Sequence, residues 1–157
     1  MPVLTCSGGG VVVEERSASG IGTAAREMGQ LAEGGWVPGV LVVDDEEDIR
    51  VLLLAVIEAA NRGLAVVGQA ASGEEAILRC RETNPDIVLL DQRMPGMSGL
   101  EAAEVILRER PDQQIILFSA FLEDGTIDRA RALGIRACLP KGDLSLVPEA
   151  LWKVAGT

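Results

Sequence analysis

Asp44, Asp45, Asp91, Ser119 and Lys141 are the residues of this 157-residue chain whose types and placement can do chemistry together. Each stands just after a short apolar run: Val40–Val43 leads into the aspartate pair, Ile87–Leu90 into Asp91, Ile115–Phe118 into Ser119, and residues 136–139 into Pro140 and Lys141. If the runs are strands of one parallel sheet, all five side chains fall on one edge. Three carboxylates crowded there repel one another, so either they are partly protonated or a divalent cation holds them. Mg2+ suits such a place, as a hard octahedral ion held by one or two carboxylates, waters and a phosphate oxygen. Lys141 supplies a mobile positive point charge and Ser119 a hydroxyl donor. A plainer role for acidic residues after a strand is to cap the next helix, and Asp45 or Asp48 fits that role for a helix over 46–60.

The chain contains no histidine. That removes Ser-His-Asp and Cys-His nucleophile systems, zinc sites that need imidazole, and any phosphohistidine of its own. Acid, base or metal chemistry must come from carboxylates, Lys, Ser or Cys. Fourteen basic against 24 acidic residues give a net charge of −10, which disfavours direct contact with nucleic acid or an anionic membrane. Cys6, Cys80 and Cys138 are odd in number and widely spaced, which argues against a disulfide framework and fits a reducing cytoplasm. The longest uncharged apolar run, Val51–Ile57, falls far short of the roughly 18 residues a membrane span needs. No early basic residues announce an export signal.

The elements that must position these groups begin at Gly39. Residues 1–38 are rich in Gly, Ala and Ser and poor in large apolar side chains, and read as a flexible extension with a short strand at 11–13 and a weak helix at 23–32. From Gly39 to Thr157, strand-length apolar runs alternate with helical stripes: Ile49, Leu52, Leu53, Val56 and Ala60 in the first, Ile127, Ala130 and Leu133 in a later one, Val147, Ala150, Leu151 and Val154 in the last. Ser72-Gly-Glu-Glu75 and Ser98-Gly-Leu-Glu101 match the capping box, in which Ser and Glu reciprocally satisfy free backbone donors, and open two further helices. Five strands alternating with five helices imply a doubly wound α/β domain, whose right-handed crossovers place ligands at the carboxyl ends of the strands.

The segments Val42-Val43-Asp44-Asp45-Glu46, Asp91-Gln-Arg-Met-Pro-Gly-Met-Ser-Gly99, Ser119-Ala120 and Lys141 together resemble the response-regulator receiver domains of two-component signalling, over the whole of residues 39–157. The resemblance implies a flavodoxin-like, five-stranded parallel sheet of strand order 2-1-3-4-5 with helices on both faces. It makes Asp91 the acceptor of a phosphoryl group from a histidine kinase or phosphotransfer protein. Lys141 and Ser119 would meet the transferred group. It also implies Mg2+ held by Asp44, Asp45, Asp91 and the carbonyl of Arg93. The output is a changed surface around residues 121–139 that binds an unknown downstream protein, with a phosphorylation-dependent homodimer left open. Any enzymatic activity would be self-phosphorylation from a small phosphodonor and slow loss of the phosphoryl group. The segment Gly134–Asp143 resembles receivers that are often followed by DNA-binding domains.

Three features depart from the family pattern. Cys138 stands where many receivers carry Tyr or Phe, and reads as a small buried hydrophobe. Pro140 precedes the lysine. Arg93 and Phe121 are bulky where they border the acceptor pocket, which predicts a long-lived phosphoryl group because in-line water is restricted. Two rivals stand beside this reading. One is a phosphorylation-independent protein-binding module of the same fold. The other is a dinucleotide site at Gly20-Ile-Gly22-Thr-Ala-Ala25, opposed by the gap between that motif and the only strand before it. The charged set Asp128, Arg129, Arg131, Arg136, Glu149 and Lys153 is either a docking face or a solvated exterior.

Overall fold

The structure, a computed structural model, describes residues 35–156 together with two-residue strands at Leu4–Thr5, Val12–Val13 and Leu31–Ala32. Five parallel strands, β1 (Gly39–Val43), β2 (Ala65–Ala70), β3 (Ile87–Asp91), β4 (Gln114–Ser119) and β5 (Ala137–Pro140), pair in the order β2-β1-β3-β4-β5. This is the flavodoxin-like arrangement expected. The sheet is longer than expected: Val12–Val13 lies antiparallel on β5, and Leu4–Thr5 pairs antiparallel beyond it. The strand read at 11–13 is therefore present over its last two residues. The helix read at 23–32 lies outside the described residues, except for Leu31–Ala32, which pair as a strand with Gly35–Trp36. The glycine motif at 20–25 also lies outside them.

Five helices join the parallel strands: α1 (Glu47–Ala59), α2 (Gly73–Thr83), α3 (Gly99–Glu109), α4 (Asp124–Leu133) and α5 (Val147–Ala155), the last preceded by a 3-10 turn at Leu144–Leu146. β1 and β3 are buried at every position, as central strands covered on both faces must be. Because side chains alternate across a strand, the sheet divides the core in two. Leu41, Val43, Val88 and Leu90 face α2, α3 and α4, while Val40, Val42, Ile87 and Leu89 face α1 and α5.

The expected stripe of α5 is buried throughout. That of α1 is rotated from expectation. Leu53 and Ile57 are its buried residues, Leu54 packs beside them, and Leu52 is 49% exposed. Truncating Leu53 to Ala would cost about 2–5 kcal/mol, whereas the same change at Leu52 would cost little.

Helix α2 starts as the capping box predicts, with Ser72 Oγ accepting from Glu75 N at 3.1 Å, but the Glu75 carboxylate reaches the Ala71 N–H at 2.9 Å and not that of Ser72. At α3, Ser98 Oγ accepts from Glu101 N at 3.2 Å, and Gln92 supplies the remaining acceptors. At α1 neither Asp45 nor Asp48 caps. Asp44 Oδ1 instead accepts from Glu46 N at 2.9 Å, so the buried aspartate of the pair is the one that holds the helix entry.

Candidate functional site

The sheet register decides which side chains can meet. Val43 of β1 lies opposite Leu90 of β3, so Asp44 and Asp91, the next residue of each strand, emerge side by side. Ser119 of β4 pairs with Pro140 of β5, and Lys141 N donates to Ser119 O at 3.0 Å, which continues the ladder one residue past the strand. Chain segments nearly a hundred residues apart thus deliver their polar groups to one edge.

Lys141 Nζ lies 2.7 Å from Asp44 Oδ2 and 3.0 Å from Asp91 Oδ2. Both aspartates are buried, and among the described residues those two oxygens have no partner other than this ammonium. The electrostatics follow from the burial. Desolvation pushes the Asp91 carboxyl up and the charge of Asp44 pushes it the same way; Lys141 and the Arg93 N–H, which donates to Asp91 Oδ1 at 3.3 Å, hold it back, leaving it at about 6. Burial by itself would lower the Lys141 ammonium, but its hydrogen bonds and its attraction to Asp44 and Asp91 prevail and hold it above the ordinary lysine value.

Beside this ion triad, one carboxylate oxygen from each of Asp44, Asp45 and Glu46 lies within 4.8 Å of the others, Asp44 buried and the other two exposed. The sequence reading named Asp44 and Asp45 and missed Glu46, which sits on the helix entry where a capping role is the commoner signal. Arg50 Nη1 donates to the Asp44 carbonyl and holds that turn from the other side. Ser119 is buried at the same edge, but its hydroxyl is engaged within its own loop, donating to Phe121 O at 3.1 Å and accepting from Phe121 N at 3.3 Å. Arg93 is exposed, and its guanidinium stacks 4.8 Å from the centre of the Phe121 ring. The two bulky residues of the sequence reading therefore touch, joining the loop after β3 to the loop after β4.

Cys138 is buried opposite Leu117, as a small hydrophobe would be, and burial pushes its thiol up to about 11. The charged set on the far helices forms local pairs, Arg131 with Asp128 at 4.0 Å and Lys153 with Glu149 at 3.1 Å, the pattern of a solvated exterior. Among the described residues no helix is long and apolar enough to cross a membrane.

The family model described as the response regulator receiver domain matches residues 40–148. The chain belongs to that family. Its fold and its class, a receiver domain of two-component signalling, are therefore those expected. The response regulator GacA of Pseudomonas protegens is 42% identical over 103 residues, which are 66% of this chain and 48% of that protein. UvrY of Escherichia coli is 38% identical over 103 residues, 66% of this chain and 47% of that protein. The chain thus spans about half the length of the curated relatives it matches. Among solved structures, the response regulator domain of Thermotoga maritima CheB is 30% identical with a TM-score of 0.68, over 76% of this receiver and 95% of that chain. A chain of the CheX-CheY-BeF3-Mg complex of Borrelia burgdorferi is 27% identical with a TM-score of 0.70, over 76% and 90%.

Response regulators as a class receive phosphoryl groups from histidine kinases, and receivers generally hold Mg2+ at acidic residues such as those gathered here.

Proposed function

We propose that this receiver is a phosphoryl-accepting switch with Asp91 as acceptor. The observation that carries the reading is the placement of Lys141 between two buried carboxylates whose facing oxygens have no other partner among the described residues. A buried cluster of that kind is costly to keep for packing alone and is suited to meeting a multiply charged anion.

An Asp91 carboxylate oxygen attacks phosphorus in line and forms an acyl phosphate. The bond from phosphorus to the donor's imidazole nitrogen breaks, and its electron pair stays with the imidazole. Lys141 offsets charge on the transferred oxygens, and the Ser119 hydroxyl, turning from Phe121, donates to one of them. The hard oxygen donors fit a magnesium ion: Asp44, Asp45 and Asp91, with the carbonyl of Arg93, would hold it, and Glu46 is within reach of the same cluster. When bound, that ion supplies positive charge against which the donor's phosphoryl oxygens can approach an otherwise acidic edge. The new group adds nearly −2 of charge, and the turn of Ser119 away from Phe121 moves the loop that leads into α4. The donor would be a histidine kinase or phosphotransfer protein in the cytoplasm, and the charged form would bind its target or a second copy of the chain.

Incubation with acetyl phosphate and Mg2+, followed by intact mass, tests this reading. One added phosphoryl, absent in Asp91→Ala, is expected. A wild-type chain that gains no mass would sink it in favour of a phosphorylation-independent binding module.

A further inference from the structure

Gln92, directly after the acceptor, does more than continue the chain. Its main-chain carbonyl accepts from Gly99 N at 2.9 Å, and its side-chain Oε1 accepts from Leu100 N at 2.8 Å. With Ser98 Oγ on Glu101 N, the first three N–H groups of α3 are all satisfied, two of them by one residue seven and eight positions upstream. The peptide joining Gln92 to Arg93 is held on both sides, its carbonyl by Gly99 and its N–H by Asp91 Oδ1. A single hydrogen bond leaves a residue free to swing about that bond. Two from the same residue to successive N–H groups do not.

We infer that Gln92 is a positioning residue for the phosphoryl site: its side-chain amide locks the loop after β3 onto the start of α3 and so fixes the Arg93 carbonyl relative to Asp91. The inference rests on the function proposed above and deepens it. The side-chain oxygen must be the atom at Leu100, because the amide nitrogen cannot accept from an N–H. An apolar residue at position 92 could fill the half-buried space but could not make this bond. A Cβ added at Gly99 would lie 2.2 Å from Asp91 O and 2.9 Å from Gln92 Cα, so the loop after β3 lies directly against the start of α3.

The test uses the full chain with Gln92→Met, which keeps length without an acceptor, Gln92→Asn, which keeps the amide but is one methylene too short, and Gln92→Glu, which keeps an acceptor at the same reach. Mg2+ binding is read by calorimetric titration at a temperature where urea unfolding shows every variant folded, and phosphoryl gain from acetyl phosphate by intact mass. Q92M and Q92N are expected to weaken Mg2+ three- to tenfold and to slow phosphoryl gain in proportion, while Q92E stays within about twofold of wild type or binds more tightly. Lower unfolding midpoints in Q92M and Q92N with unchanged Mg2+ affinity would reduce Gln92 to a purely structural role and overturn the inference, as would a Q92E as weak as Q92M. A wild-type chain that neither binds Mg2+ nor gains a phosphoryl would overturn the inference together with the reading beneath it.

Discussion

Lys141 Nζ stands closer to Asp44, at 2.7 Å, than to Asp91, the proposed acceptor, at 3.0 Å. The lysine is thus first of all the counter-charge of a buried carboxylate other than the proposed acceptor. Its side chain is 16% exposed, so the pair is screened far less than a surface ion pair.

Replacing Lys141 by Met leaves two buried carboxylates facing each other with no cation between them. Breaking a buried pair from one side is expected to cost about 3 kcal/mol, read by urea unfolding in metal-free buffer. Millimolar Mg2+ should return part of that loss, because an ion bound only by the folded state stabilises it. A K141M chain as stable as wild type without metal would contradict the geometry.

The pH dependence of Asp91 follows from its raised value. Between the unfolded carboxylate's 3.8 and about 6, the folded chain binds the proton and the unfolded chain does not, so this group's contribution to stability falls as pH rises through that window. Above pH 6 the full penalty is present. In metal-free buffer Asp91→Asn should therefore be more stable than wild type at pH 7, by on the order of 2 kcal/mol, with the difference shrinking towards pH 4. A difference that grows on acidification would reverse the sign and refute the assignment.

The stack of Arg93 on Phe121, which is 60% exposed, ties the loop after β3, which follows the proposed acceptor, to the loop after β4. An exposed contact of this kind is worth about 0.5–1 kcal/mol, so Arg93→Ala and Phe121→Ala should each shorten the phosphoryl lifetime about two- to fivefold. The decay of the phosphorylated mass with time measures it directly. Lifetimes equal to wild type would show that water does not enter by this route.

Gly99 admits no side chain. A Cβ there would lie 2.2 Å from the Asp91 carbonyl oxygen and 2.9 Å from Gln92 Cα, both backbone atoms that cannot move aside cheaply. Alanine is the better helix former by about 1 kcal/mol, yet here the clash outweighs propensity. Gly99→Ala should destabilise by about 3 kcal/mol and suppress phosphoryl gain, read by thermal unfolding and intact mass. A G99A chain with unchanged unfolding and phosphorylation would mean that the loop and helix are not in contact.

Much of this was legible in the sequence because the sheet is buried on both faces. Val40–Val43, Ile87–Leu90 and Ile115–Phe118 could be read as central strands without knowing their partners, and the polar residue ending each run then fell on one edge. The facing of α1 was not legible. Val51–Ile57 is unbroken apolar sequence and carries no phase, so Leu52 and Leu54 exchange roles on a rotation that only packing against β1 and α5 decides. Asp44 as the group holding the entry of α1 was hidden by two nearer candidates, Asp45 and Asp48. Gln92 was hidden for a different reason: an acceptor reaching eight residues forward has no local pattern, and Ser98 already explained the start of α3.

The backbone bond from Lys141 N to Ser119 O has a consequence for how the proposed switch would pass on its signal. The hydroxyl and the ammonium that would greet an incoming phosphate hang from adjoining rungs of one ladder, so a backbone shift at one is expected at the other. On the proposed function, a tug on the serine loop would reach the last strand through a single link, and the outward message would need no longer wire than that.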